Sequence, residues 1–141
     1  MTLLHRCSCV HAEVSTSATG APTLYIGFRN AGVDDFQNIC DIAVRWMCHE
    51  ATTPFYLHLH HYDGDLLPPD MSCLMSIISK LSQCREAVHK NVLATCVQAK
   101  ETTPLVWAAK NLFLKLYQPV RPFDVVTGDE ERNQFFLAHS A

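Results

Sequence analysis

Two hydrophobic periods take turns along this chain, and their alternation restricts the fold more than any other feature. Residues 9–16 (Cys-Val-His-Ala-Glu-Val-Ser-Thr) alternate loosely between apolar and polar side chains, as a strand does. A stretch rich in Ser, Thr, Gly and Pro follows at 17–22, and Thr23-Leu24-Tyr25-Ile26-Gly27-Phe28 reads as a second strand. Together they predict a hairpin with an irregular connection. The period then changes. Phe36, Ile39, Cys40, Ala43 and Met47 recur at helical spacing, which predicts a helix over 34–49 with Asp34 or Asp35 as its cap.

The same exchange repeats three times more. Thr52-Thr53-Pro54 opens a third strand at 55–62, and Pro68-Pro69-Asp70 starts a helix over 70–88. A short, nearly continuous apolar run at 93–98 suits a central strand covered on both faces. Thr103-Pro104 starts a helix over 104–117, with a hydroxyl cap and Pro at the first helical position. Phe123-Asp124-Val125-Val126 is a fifth strand, and Thr127 or Gly128 caps a last helix over 129–139, whose acidic first turn favours the positive end of the helix dipole. The expected order is β-β-α-β-α-β-α-β-α. An opening hairpin followed by β-α units implies a mostly parallel mixed sheet covered by helices, with all of them on one side as one arrangement.

Composition supports one α/β domain over 1–141, with residues 1–8 as a candidate flexible N-terminus. Of the 141 residues 48% are hydrophobic, too many for a disordered chain. The formal net charge of −3, with no run of Lys and Arg, argues against nucleic acid as a partner. No stretch reaches the roughly 18 uninterrupted apolar residues of a membrane span, and Met1–Cys7 holds no run long enough for a signal peptide. The seven cysteines are odd in number and fall without framework spacing, so disulfides are not expected and a cytoplasmic location is.

In the order and polarity of its elements the chain resembles the STAS domain (sulphate transporter and anti-sigma factor antagonist), with the related CRAL-TRIO fold behind it. The stretches that carry the resemblance are Pro54-Phe55-Tyr56-Leu57-His58-Leu59 leading to the Leu74–Leu81 helix, Val92–Gln98 leading to the Pro104 helix, and the tail from Phe123 to Glu131. Thr102-Thr103-Pro104 is similar to the Asn-x-Pro helix entry of CRAL-TRIO proteins. STAS regulators carry a phosphorylated hydroxyl where their second helix begins. Here Leu67-Pro68-Pro69-Asp70 falls on that motif, and Ser72 lies one turn inside. The resemblance therefore implies a constitutive interaction or assembly module rather than a phosphorylated regulator. Its partner surface would be Asp63, Asp65, Asp70 and Ser72, joined by Trp107 and Lys110 of the helix over 104–117, whose apolar residues exceed what one buried stripe needs. Against CRAL-TRIO, the chain lacks the leading helical region of those lipid binders.

Three patterns point to other chemistry. His5, Cys7, Cys9 and His11 alternate along one strand face, with successive members about 6.7 Å apart. The four cannot converge on one tetrahedral zinc, but neighbours among them could do so with His58 and His60, if the third strand lay beside the first. Asp63-Gly64-Asp65 stands where α/β enzymes hold Mg²⁺ for phosphoryl transfer, and is also ordinary turn chemistry. Cys96 with His60 is a nucleophile pair that adjacent strands could assemble. No glycine-rich phosphate loop or Gly-x-Ser-x-Gly elbow accompanies any of these. The reading is a non-enzymatic protein-interaction module without a cofactor, with homo-oligomerisation left open. Its alternatives are a hydrophobic-ligand or lipid binder of CRAL-TRIO type and a Mg²⁺-dependent phosphoryl-transfer enzyme using Asp63 and Asp65.

Overall fold

A computed structural model describes residues 2–7, 10–16, 20–29, 33–61, 79–80, 82–98, 104, 107–108, 111, 114–115 and 122–139. They form an α/β structure on one six-stranded mixed sheet. The strands are β1 (Thr2–Arg6), β2 (Val10–Thr16), β3 (Pro22–Phe28), β4 (Phe55–His61), β5 (Val92–Gln98) and β6 (Phe123–Val126), and they lie side by side in chain order. β1, β2 and β3 are antiparallel neighbours; β3 to β6 run parallel. The sheet has one strand more than expected. β1 was missed because Thr2–Arg6 is mostly exposed and bulged between Leu3 and His5, so it lacks the alternation of a half-buried strand. Gly20, at φ +88°, turns the chain between β2 and β3 in a backbone region other residues rarely enter.

α1 (Val33–Arg45) holds Asp34 and Asp35 in its first turn and Arg45 in its last, each sign at the dipole end that favours it. Neither aspartate is the cap, because the helix has already begun at Val33. It runs on as a π-helical turn, Trp46–Glu50, closed by Ala51 N–H donating to the Trp46 carbonyl at 2.9 Å. This turn buries Met47 and sets Trp46 edge-on against Phe55, ring centres 4.8 Å apart. α2 (Arg85–Asn91) runs into β5. Residues 79–80 and 82–83 are also helical, as are Pro104, Trp107, Ala108, Asn111, Leu114 and Lys115. α3 (Asp129–Ala138) follows β6 from an N-cap at Gly128, without a side-chain cap from Thr127 or Gly128.

The helices occupy both faces of the sheet. Ile39, Ala43, Met47, Cys84 and Val88 pack with Val10, Ala12, Leu24, Ile26, Phe55, Leu57 and Val92 on the first face. Phe136 of α3 packs with Tyr56, Ala94, Cys96 and Val126 on the second. Alternation along β4 requires the split, since Phe55 and Leu57 point opposite to Tyr56. Among the described residues no strand follows α3, so the right-handed rule that holds α1 and α2 to one side does not bind it.

Candidate functional site

The second face is where polar side chains gather. β4 alternates Tyr56, His58 and His60 toward it, and the register sets Thr23 beside Tyr56, Tyr25 beside His58 and Gly27 beside His60. On β2, Ser15, Glu13 and His11 continue the same rows; on β5, Cys96 pairs with His58 and Gln98 with His60. α3 then lays Asp129 and Arg132 across the ends of the central strands.

These groups form one connected network. The Gln98 amide nitrogen donates to Asp129 Oδ1 at 2.9 Å, which turns its carbonyl oxygen toward two donors: His58 Nε2 at 2.8 Å and Arg132 Nη1 at 3.3 Å. Arg132 Nη1 also donates to Asp129 Oδ1 at 3.1 Å. Because an amide oxygen only accepts, the His58 ring carries a proton on Nε2 and donates it to Gln98. Burial, aided by the Arg132 charge, lowers its pKa to about 4. The Asp129 carboxyl is held below its usual value by the hydrogen bond from Gln98 and then by Arg132. Beside this core the His60 ring stacks on His58 at 5.8 Å, and the Tyr25 hydroxyl meets His60 Nδ1 at 3.0 Å.

A cleft of about 310 Å³ opens between β2, β3 and α3. Its walls carry Glu13, Ser15, Thr16, Thr23 and Tyr25 from the strands and Arg132, Asn133, Phe136 and Leu137 from the helix, with His58 at the sheet. It exists because α3 covers β5 and β6 and stops short of β2 and β3. The Tyr56 hydroxyl donates to the Phe136 carbonyl at 3.1 Å, and the two rings stack with centres 4.4 Å apart, which fixes the helix at that distance.

The residues expected at a site are distributed as follows. Asp63, Asp65, Asp70, Ser72, Lys110 and Cys9 lie outside the described residues. Trp107 is on a helix and 51% exposed. His5 is on β1, Cys7 is exposed just after it, and His11 is on β2. The arrangement imagined for zinc needed the strand of His11 beside that of His58 and His60. β3 lies between them instead, and the Tyr25 ring stands there, 6.1 Å from both the His11 and the His60 ring. Among the described residues no three His, Cys, Asp or Glu side chains come together to hold a metal. Cys96 does lie on the strand next to His60, but it pairs with His58 and is wholly buried, and burial pushes its thiol up to about 12, which disfavours the thiolate form.

Sequence reasoning missed Glu13, Tyr25, Gln98 and Arg132. Arg132 carried a signal: it is the one base in the acidic opening of the last helix and stands three residues after Asp129, on the same side of a helix. Gln98, polar at the end of an apolar strand, carried another. Compared with protein-family models, curated proteins and solved structures, the chain finds no match in any of the three. Its own geometry is the basis for assigning a role.

Proposed function

We propose that this chain is a non-enzymatic protein-interaction module of STAS-like organisation, without the phosphorylatable hydroxyl of the regulators, working in the cytoplasm. Its partner is held at the cleft between β2, β3 and α3. The observation that carries this reading is the half-covered second face. The polar groups beneath α3 are spent on one another, while the cleft rim leaves Leu137 54% exposed. An exposed large apolar side chain beside polar groups on rigid strands is the composition of an interface centre with its rim. A cleft of about 310 Å³ is at the small end of ligand pockets and suits an anchoring side chain of a partner. Among the described residues no helix is long and apolar enough to cross a membrane.

Quantitative crosslinking with the tagged chain tests this. Leu137→Asp is expected to lower partner recovery about tenfold, equivalent to about 1.4 kcal/mol, whereas Asn38→Asp, on an exposed position of α1 across the sheet, leaves it unchanged. Recovery of the same partner at wild-type level by Leu137→Asp, or equal loss in both variants, would remove the cleft as the contact surface.

A further inference from the structure

We infer that Cys48 and Cys84 form a disulfide when the chain meets a low-molecular-weight disulfide such as oxidised glutathione, making this pair a redox modification site. The π-helical turn after α1 places Cys48 at the surface directly after buried Met47. Cys84 is the N-cap residue of α2 and is buried in the same cluster as Met47 and Val88. The two segments are far apart in sequence, yet the π-helical turn packs against the start of α2 on one patch of the first face, where Met47, Cys84 and Val88 share a cluster, and Cys48 lies near enough to act on the Cys84 thiol. Both are thiols in this structure. From that contact the sulfurs have to close to a bond of about 2.05 Å.

The difference in burial orders the steps. Cys48, being exposed, attacks one sulfur of oxidised glutathione as its thiolate; a Cys48–glutathione bond forms and one glutathione thiolate leaves. Cys84 then gives up its proton and attacks the Cys48 sulfur, and the second glutathione thiolate leaves. Two protein thiols are oxidised, one glutathione disulfide is reduced, and the two protons end on the two glutathione molecules. Burial and the neighbouring Cys48 raise the Cys84 thiol to about 11, so the second step is the slow one and speeds up with pH. The bridge fastens the end of α1 to the start of α2 across β4.

The whole chain is incubated with oxidised glutathione, alkylated, and analysed by intact-mass and peptide mapping without reduction. Wild type is expected to yield a peptide pair joined through Cys48 and Cys84, two hydrogen atoms lighter than the sum of the two peptides, with no glutathione left on Cys48. Its thermal midpoint should rise on the order of 10 °C. Cys84→Ala is expected to stop at a glutathione adduct on Cys48. Cys48→Ser, altered only at the surface, is expected to form no bridge. A lasting adduct on wild-type Cys48, a bridge between other cysteines, or no change in mass would overturn the assignment.

Discussion

His58 shows how one buried imidazole ties the pH response to the architecture. It is 4% exposed, donates from Nε2 to Gln98, and shares that acceptor with Arg132, whose charge opposes a second proton on the ring. The folded chain takes up that proton only near pH 4, whereas the unfolded chain takes it up near the ordinary value of 6.5. Between those limits the unfolded state binds more protons, so stability rises with pH and is lost as pH falls from about 6.5 toward 4. The contribution of this group is on the order of 3 kcal/mol across the window. His58→Gln keeps a donor for Gln98 and removes the titration. Denaturant unfolding at a series of pH values is expected to show a shallower slope between pH 4 and 6.5 for the variant. Equal slopes would mean that His58 does not carry the dependence. The pairing of His58 and His60 on one face was legible from their spacing of two residues. Their union with Gln98, Asp129 and Arg132 was not, because those partners come from other elements and only the register aligns them.

At the level of elements, α3 decides the site, and one aromatic contact holds α3. Phe136 stacks on Tyr56, lies over Ala94 and Cys96, and receives the Tyr56 hydroxyl at its carbonyl. Phe136→Ala is expected to cost about 3–5 kcal/mol, the range for truncating a buried aromatic side chain. It should also uncover Cys96, which is 0% exposed in the native fold. Alkylation of Cys96 by iodoacetamide, followed by mass spectrometry, separates the outcomes: protection in wild type and modification in the variant under native conditions. Continued protection would show that α3 stays docked without this ring. The span and the acidic first turn of this helix were readable, since 129–138 lies within one turn-bounded segment after β6. Its side of the sheet was not. The apolar residues of the last helix are few, and among the described residues no strand returns after it to fix its hand.

For the whole molecule, the described strands form a single hydrogen-bonded sheet in chain order, with β1 and β6 outermost among them. β1 is short, bulged and ends on the charged Arg6, features by which edge strands avoid pairing with other chains. Removing residues 2–6 makes the longer and more regular β2 the edge, with Val10, Ala12 and Val14 alternating along it. Light scattering on warming is expected to rise at a lower temperature for the truncated chain than for wild type. Identical scattering curves would show that β1 does not shield β2.

The sequence by itself determined the α/β class and five of the six described strands to within a residue or two, because each rests on local hydrophobic period and on Pro, Gly and acidic turn signals that act within a few residues. Tertiary structure alone decided three things. It placed β3 between the strands of His11 and His60, it sent α3 to the face opposite α1, and it brought Cys48 to Cys84. Each is a contact between residues far apart in the chain, set by strand register and by which apolar faces could be buried together. No local pattern encodes such choices.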